Sequence, residues 1–492
     1  MDVTEERTDG PLGAPERLTV DLDAWPLSLD PYHVVDFNQA VVLDALVDPL
    51  TREDPTGVRV AEPSALAALD CLDDGRTWLL TPAPGQCWTD GTPVRAEELA
   101  AGIHRAWSPT GLDLPTGYGP ADGSPVRTRV TGGGAVELCS PFPLPFLPEL
   151  LAFPGAAPVR EQGGGWSASG PYRPWRVDRA QGRIELRRKP SRRTCPESAH
   201  SVVFQVHTER ADALAAFEDG RVDISLNTGL QPDDFARLAA SPQATVRPLA
   251  MACQLWVRPG VGSPLETAAG RREFSAGFDR EAVSAGLLGA ALPLRRYRDL
   301  WEPSAPDRSA PPTGPRSAPP GAARGRRPEL TLSYADFPPN DRVVQALARD
   351  IEARFGHRIR PLALPYDRFA AAVAALDYDL LYCINPAPLA HVAGLVTQFH
   401  SGARTGRALG LQDAAVDAAL DHALRDGGAG AWREAEETVL DRAPVVPLFQ
   451  VNSVTLHRPG LSPPLVAATG AIRLERVSRS VLPDSRNQKV PA

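Results

Sequence analysis

Residues 77–107 read TWLLTPAPGQCWTDGTPVRAEELAAGIHRAW, and this stretch decides the fold more than any other part of the chain. It opens with a strand-like run, Thr77–Leu80, and continues through a turn-rich patch to the hairpin signal Asp90-Gly91. Thr92-Pro93 is typical of a helix N-cap followed by proline in the first turn. The apolar positions that follow, beginning at Leu99, recur at helical spacing, so we expect one face of this helix to pack inward.

Further motifs accompany this stretch in a fixed order along the chain. They are LSLDP at 27–31, ASGPY at 168–172, ALAAFEDGRVD at 213–223, a helix over 271–289, and a last helix and strand over 435–450. Together with 77–107 they resemble the signatures of the family 5 extracellular solute-binding proteins. Those proteins are the peptide- and nickel-binding components of ABC importers. The resemblance covers the chain from about residue 18 to residue 476, and its ordered motifs are far more specific than any one of them alone.

The resemblance implies an α/β fold of the periplasmic-binding-protein type (type II), with two α/β lobes around a cleft and a smaller third domain. It implies lobe I at 18–50, 168–255 and 445–476, the extra small domain at 51–167, and lobe II at 256–444. We expect residues 1–17 and 477–492 to be a disordered N-terminus and tail. In such a fold the ligand lies between the lobes, which close around it by a hinge motion.

Two parts of the chain alternate strands and helices, and this pattern is visible without the resemblance. The first comprises Val202–His207, Ala211–Phe217 and Val222–Leu226, and the second runs from Leu330 to Ile384. This spacing predicts a largely parallel sheet with helices on both faces. Between the two parts, residues 302–328 are rich in proline and poor in apolar side chains, so they have little to bury.

Composition predicts a soluble globular protein of two or three domains, which we expect to be a monomer. The chain has 492 residues, of which 43% are hydrophobic, and no apolar run approaches the roughly 20 residues of a membrane span. The net charge of −8 argues against nucleic acid as a partner. No cofactor motif such as a Walker loop is present, and the six cysteines lack metal-ligand spacing, so we expect neither a cofactor nor a metal.

The beginning of the chain bears on the compartment. Residues 1–17, MDVTEERTDGPLGAPER, are acidic and polar, whereas an exported protein begins with a basic segment, an apolar segment and a cleavage site. No cysteine precedes Cys71, so a lipobox for membrane anchoring is also missing. We therefore expect a cytoplasmic protein with reduced thiols. The alternative is an extracellular or cell-surface location, with the leader removed or the start misassigned.

One loop departs from the pattern of the peptide-binding members. In those members a Gly-Trp-x-x-Asp-Tyr loop follows an Asp-Leu strand, and its Asp can pair with the ammonium of the peptide. The matching stretch here, DLLYCINPAP at 379–388, has neither the Trp nor the Asp and carries the neutral Asn385. Ordinary peptide capture is therefore in question.

Two functions remain open from the sequence. One is a solute-binding protein that takes a peptide-like or small polar ligand, with an ABC permease as partner if it is exported. The other is a cytoplasmic enzyme, or a ligand-sequestering protein, of specialised metabolism built on the same fold, because fold does not fix function.

Candidate site residues are those that we expect at lobe edges or on hinge strands. The predicted ligand-binding residues are Tyr32, Trp166, Cys253, Trp256, Tyr382, Asn385 and His400. His400 and Cys383 are weak catalytic candidates, since an imidazolium near a cysteine lowers the thiol pKa. The competing interpretation, a buried strand cysteine and two solvated histidines at 391 and 400, is the stronger one, because such pairing depends on a spatial geometry that spacing does not reveal.

The proline-rich stretch generates the first prediction. Because residues 302–328 offer little apolar surface, we expect them to form a mobile surface excursion. Limited trypsin digestion of the native protein should cut first near Arg316, Arg324 or Arg326, which mass spectrometry of the fragments would identify. First cuts elsewhere would show that this stretch packs against the rest of the protein.

Overall fold

The computed structural model describes residues 15–31, 34, 36–54, 57–59, 64–106, 126–162, 165–189, 198–227, 229–301 and 328–479. Tyr32, Trp107 and Cys195 lie outside these residues, as do 302–327 of the proline-rich stretch.

The described strands are β1 (Arg17–Leu22), β2 (Arg52–Asp54), β3 (Gly57–Arg59), β4 (Leu66–Asp73), β5 (Thr77–Pro82), β6 (Arg127–Val130), β7 (Val136–Cys139), β8 (Val159–Gln162), β9 (Gly165–Ala168), β10 (Tyr172–Asp178), β11 (Arg183–Arg188), β12 (Ser201–Val206), β13 (Ile224–Asn227), β14 (Ala244–Val257), β15 (Ala291–Pro293), β16 (Leu330–Ala335), β17 (Ile359–Leu364), β18 (Leu380–Pro386) and β19 (Val445–His457).

The described helices are α1 (Phe37–Leu46), α2 (Ala96–Ala106), α3 (Leu147–Leu151), α4 (Arg210–Glu218), α5 (Pro232–Ala239), α6 (Ala268–Gly277), α7 (Arg280–Gly286), α8 (Asn340–Phe355), α9 (Tyr366–Ala375), α10 (Ala393–Val396), α11 (Arg404–Ala408), α12 (Ala414–Asp426) and α13 (Ala429–Arg442). None of these helices is long and apolar enough to cross a membrane.

One mixed sheet carries both lobes, in the order β10-β11-β12-β1-β13-β19-β14-β18-β16-β17, with β15 beside β19. In lobe I, β1 pairs in parallel with β12 and β13; in lobe II, β16 pairs in parallel with β17 and β18. Both predicted strand–helix arrays are therefore confirmed, and so is the α/β class. The expectation of a largely parallel sheet is wrong for its middle, where β13, β19, β14 and β18 are antiparallel neighbours, and for its edge, where β10, β11 and β12 are antiparallel neighbours.

The long strands β14 and β19 run through both lobes. At one end, residues 244–248 pair with 452–456 beside β13; at the other end, 252–256 pair with 445–450 while β18 joins from lobe II. Their register shifts between Pro248 and Ala252, a β-bulge of the kind that bends a strand. At this bulge Ala250 donates its N–H to the carbonyl of Ala468 at 2.6 Å and accepts from the N–H of Ala387 at 2.8 Å.

The small domain is a four-stranded antiparallel sheet, β4-β5-β7-β6, covered by α2. The inward face of α2 is as predicted, with Leu99 and Ile103 fully buried. The predicted helix start is wrong. Thr92 is held by the Asp90 carboxylate and Pro93 forms a β-bridge with Cys87, so the helix begins only at Ala96.

Buried apolar side chains form two clusters, and each cluster contains residues from more than one predicted domain. One joins α1 in lobe I to α8 in lobe II, and the other joins α2 and α3 of the small domain to α12 and α13. The predicted division at residues 50, 167, 255 and 444 therefore stays a prediction, since packing and the two long strands cross it.

The ordered chain extends beyond the predicted ends. Residues 15–17 and 477–479, which we expected to be disordered, take part in structure. Arg17 begins β1, Val477 is fully buried, and Arg479 forms a β-bridge with Leu461.

Gly170 of the ASGPY motif lies against the end of α1. Its N–H donates to the carbonyl of Leu46 at 3.0 Å, and a Cβ at this position would lie 2.5 Å from the nitrogen of Val47. Only a residue without a side chain permits this approach. The motif glycine therefore serves packing between α1 and the start of β10.

Gly170→Ala should destabilise the protein by about 3 kcal/mol, because the backbone of residues 46–47 would have to move. Thermal unfolding of the purified variants would measure the loss. Gly132→Ala is the matched control, since a Cβ there meets nothing within 4 Å and should change stability little. Equal stability of both variants would contradict the packing role.

Candidate ligand-binding cleft

A cavity of about 500 Å³ opens between the two lobes and the small domain. Its volume lies within the range of roughly 300–1,000 Å³ that is usual for small-molecule sites. It is lined by Val34, Asp36, Phe37, Ala40, Asp44, Glu53, Glu149, Ala152, Phe153, Pro154, Val373, Asn385, Pro386, Ala387, Pro388, Leu389, Ala390, Gly394, Gln398, Arg404, Thr405, Thr469 and Ala471.

The lobe I side of the cavity carries two carboxylates, Asp36 at the N-cap of α1 and Asp44 within α1. Asp36 caps α1 by accepting from the N–H of Gln39 at 2.8 Å, and burial raises its pKa. Asp44, further along α1, accepts from the N–H of Ile472 at 3.0 Å. Burial raises the pKa of Asp44 from 3.8 to about 7, although the nearby charge of Arg52 opposes this. Both groups are therefore held by their own lobe.

The small domain adds Glu149, on α3, to the same side. Burial raises the pKa of Glu149, and the neighbouring Glu53 carboxylate raises it further. Its Oε2 atom is inaccessible to solvent and has no hydrogen-bond partner among the described residues. Glu53, in contrast, accepts from both the N–H and the hydroxyl of Thr469. Glu149 is thus the lining carboxylate with an oxygen left unsatisfied.

Backbone hydrogen bonds hold Glu53 and Glu149 in a fixed relation. The N–H groups of Leu50 and Thr51 donate to the carbonyl of Leu151 at 3.1 and 3.2 Å, and the Thr51 hydroxyl donates to the carbonyl of Pro148 at 2.6 Å. The segment that carries Glu53 is therefore tied to the helix that carries Glu149.

The lobe II wall is formed by the loop after β18 and by α10 and α11. It contributes a proline-rich apolar surface over 386–390, the neutral amides of Asn385 and Gln398, and Arg404 at the first position of α11. Ala387 in this loop is bonded to Ala250 at the bulge of β14. The loop therefore sits directly on the strand that both lobes share.

Of the predicted ligand-binding residues, Asn385 lines the cavity. Tyr32 lies outside the described residues. Val34 and Asp36, which follow it closely in the sequence, line the cavity. Trp166, on β9, is half-buried, packs against the main core cluster and is not part of the lining.

The structure places three other candidates in the interior of the sheet, away from the lining. Trp256 packs against Phe399, with ring centroids 5.4 Å apart. Cys253 and Tyr382 are about 2% exposed on the neighbouring strands β14 and β18, and burial raises the pKa of both. Their side chains fill the core where these strands meet.

The catalytic candidates are held by different neighbours. Burial raises the pKa of Cys383 to about 12, so its thiol stays protonated near neutral pH, and Gln254 is its hydrogen-bond partner. Nδ1 of His400 accepts from the N–H of Gly402 at 2.8 Å, and Nε2 lies 3.5 Å from a carboxylate oxygen of Asp421. Cys383 is thus a strand residue, as the competing interpretation expects, whereas the His400 side chain is only 13% exposed and is not the solvated histidine of that interpretation.

The conspicuous WTDGTP motif serves the small domain and not the cavity. Arg160 on β8 reaches Glu98 on α2 with two nitrogens, at 2.8 and 3.0 Å, and its guanidinium lies 4.7 Å from the ring centre of Trp88. Trp88 in turn donates Nε1–H to Glu98 at 3.1 Å. Asp90 and Gly91 form the turn, as the sequence predicts, with Gly91 at φ +83°.

Sequence reasoning missed Asp44, Glu53 and Glu149. A signal for two of them exists, because Asp44 lies in the apolar run VVLDAL and Glu149 in LPELL. A carboxylate that is buried together with an apolar segment is costly, so it is expected to be paired, to face a cavity or to be protonated. Nothing in the sequence joins the two positions, which lie about 100 residues apart.

Asp44 generates a pH-dependent prediction. Its pKa is raised in the fold, so its contribution to stability is present below pH 3.8 and is lost as the pH rises through about 7. Asp44→Asn removes the cost of a buried charge and keeps an acceptor for the N–H of Ile472. The variant should gain stability over the parent protein by about 2–4 kcal/mol more at pH 8 than at pH 4.

Denaturant unfolding at the two pH values would measure this gain without ligand. Asp219→Asn is the control, because that carboxylate is exposed and its removal should have little effect at either pH. A gain that is the same at pH 4 and pH 8 would show that Asp44 ionises normally.

Comparison with known proteins fits this architecture. The model of the bacterial extracellular solute-binding proteins, family 5 (middle), matches residues 62–382, which is more than half of the chain. Among curated proteins, the probable deoxycholate-binding periplasmic protein YgiS of Escherichia coli K12 is 26% identical over 161 residues. That match covers 29% of this chain and 30% of YgiS, so it spans about a third of the relative's length.

Solved structures of the same fold extend over nearly the whole chain. The murein tripeptide binding protein MppA of Escherichia coli matches with a TM-score of 0.76 at 16% identity, covering 95% of this chain and 99% of its own. OppA of Burkholderia pseudomallei matches with a TM-score of 0.74 at 16% identity, covering 96% and 100%. At this level of identity, the likeness concerns the fold.

The family description is of extracellular proteins, so it supports the alternative location and gives no support to a cytoplasmic one. With the two lobes, the crossing strands and the cavity between them, the match of 62–382 establishes that this chain belongs to family 5 of the bacterial extracellular solute-binding proteins.

Proposed function

We propose that the protein captures a peptide-like or small polar solute in the cavity between its lobes and delivers it to an ABC permease outside the cytoplasm. The observation that carries this proposal is the cavity of about 500 Å³ whose walls come from both lobes and the small domain. A ligand seated there contacts both sides of the cleft. Its binding energy therefore favours the closed arrangement over the open one.

The position of the cavity relative to the hinge supports capture by closure. Both the lobe II wall at Ala387 and the segment before Thr469 are bonded to Ala250, at the bulge of β14. A small rotation at the bulge moves the lobe II wall at Ala387 relative to α1 and α3, whereas the segment after Ala468 stays with α1 and β2, because Thr469 is bonded to Glu53 and Ile472 to Asp44. Opening at this point would admit solvent and ligand without breaking the long strand pair.

The relatives support a range of small ligands. MppA is named for a murein tripeptide and YgiS for deoxycholate, and both names describe binding and not chemical conversion. The cavity walls here combine apolar surface with carboxylates, amides and one arginine. This mixture suits a compact polar molecule with some apolar bulk better than a purely apolar one.

Blocking the cavity should abolish capture. Ala390→Trp places an indole into the lining, so affinity for any ligand of the cavity should fall at least tenfold while the fold persists. Thermal-shift screening with di- and tripeptides, together with mass spectrometry of solutes extracted from the purified protein, would identify a ligand, and calorimetry would then compare the variants.

Ala215→Trp is the matched control, because Ala215 is exposed on α4, outside the lining, and its replacement should leave binding intact. If Ala390→Trp bound the ligand as tightly as the parent protein, the ligand would bind elsewhere. If the recovered ligand were chemically converted during incubation, simple capture would be wrong.

A further inference from the structure

We propose that the cavity selects a solute with a protonated amine or guanidinium and that Glu149 is the carboxylate that binds this cation. This inference rests on the proposed function, because it concerns the solute of the same cavity. It names a recognition residue in the small domain, on the opposite side of the cleft from the loop after β18.

The charge of the cavity is one-sided. The ionisable groups in its lining are the carboxyls of Asp36, Asp44, Glu53 and Glu149 and the guanidinium of Arg404. The carboxyls all lie on the wall formed by lobe I and the small domain, and Arg404 lies on the lobe II wall. Behind Asp44, the buried guanidinium of Arg52 is already paired with Asp48 at 3.0 Å. A cation entering the cavity is therefore attracted towards the wall that carries Glu149.

Within this wall, the other carboxylates serve the fold. Asp36 caps α1, Asp44 holds the N–H of Ile472, and Glu53 holds Thr469. Glu149 retains a buried oxygen without a partner. The protein thus leaves the Glu149 carboxylate short of a donor, and a ligand N–H⁺ that meets Glu149 from the cavity supplies a hydrogen bond and the opposite charge.

The loop after β18 gives the second reason. On the lobe II wall, Asn385 near the end of β18 lines the cavity with a neutral amide. Asn385 accepts or donates a hydrogen bond but offers no charge. A cationic solute therefore finds its counter-charge on the opposite wall, at Glu149, while Asn385 contributes a neutral hydrogen bond.

The relation of Glu53 to Glu149 strengthens this assignment. Burial raises the pKa of Glu149, repulsion from the Glu53 carboxylate raises it further, and the backbone bonds from 50–51 to α3 keep the two groups from separating. A bound cation relieves this repulsion. Removing the Glu149 charge should therefore stabilise the empty protein and weaken its affinity for a cation, a combination that a merely structural residue does not produce.

The test compares two forms of one probe, the tripeptide Lys-Ala-Ala and the same peptide with both amines acetylated, by isothermal calorimetry at pH 8. The parent protein should bind the free-amine form at least tenfold tighter, which corresponds to ~1.4 kcal/mol. Glu149→Gln should remove this preference, and Glu149→Asp should retain part of it. Glu218→Gln, at an exposed carboxylate on α4, should leave the preference unchanged.

Denaturant unfolding of the empty variants accompanies the titrations, and Glu149→Asp serves as the functional variant if Glu149→Gln does not fold. Deoxycholate is the anionic probe, and it should bind more weakly than Lys-Ala-Ala. The proposal is overturned, with the proposed function intact, if the acetylated peptide or deoxycholate binds as tightly as the free-amine form, or if the preference survives in Glu149→Gln. A protein that binds no peptide and yields no native solute overturns both.

Discussion

The antiparallel pairing of β14 with β19 is the constraint on which the rest of the structure depends. Each strand begins in one lobe and ends in the other, so the two lobes share a single hydrogen-bonded sheet. A hinge made of paired strands bends and twists, but it cannot swing freely as a flexible linker would. The bulge between Pro248 and Ala252 is the point where the ladder is interrupted and bending meets least resistance.

The walls of the cavity are positioned by this strand pair. Because the segments at Ala387 and Ala468 are both bonded to Ala250, two walls of the cavity are fixed to the bulge itself. The second wall comprises α1, β2 and α3. Leu50 and Thr51, just before β2, are bonded to Leu151 of α3, and the segment after Ala468 is bonded to this wall through Glu53 and Asp44. Carboxylates gather on this second wall, where burial raises the pKa of each one whose shift is resolved. Of these carboxylates, Glu149 has an oxygen without a partner among the described residues, while Asp36, Asp44 and Glu53 accept hydrogen bonds from the protein itself.

The sequence predicts the fold well wherever local periodicity decides the outcome. The arrays around β1 and β16 and the buried face of α2 follow from apolar spacing, which packing then reinforces. The predicted start of α2 is wrong although Thr92-Pro93 has the composition of a helix cap. Pro93 forms a β-bridge with Cys87, so this segment is extended and the helix begins later. The prediction of a parallel sheet is wrong in the middle of the sheet for a similar reason. The antiparallel pairing of β14 with β19 joins distant segments, and local sequence patterns do not indicate such a pairing.

The site was far less accessible to sequence reasoning. Asn385 could be placed because a family pattern pointed to its loop. Trp256 and Tyr382 were chosen as large aromatics on hinge strands, and a strand exposes alternate side chains to opposite faces, so spacing alone could not show that they fill the core. Glu53, Glu149 and Asn385 meet only because three distant segments converge on one cavity, and that convergence is a property of the folded chain.

The shared strands also determine the order in which the chain can be completed. All of lobe II lies in sequence between β14 and β19, so the sheet of lobe I has an unpaired edge at β13 until almost the entire polypeptide has been made. Contacts between such distant segments slow folding, because a long loop must close before the pairing stabilises it. During synthesis, then, this chain spends most of its length as an incomplete sheet with an exposed edge. The sheet that joins the two lobes is complete only when the last long strand lies between β13 and β14.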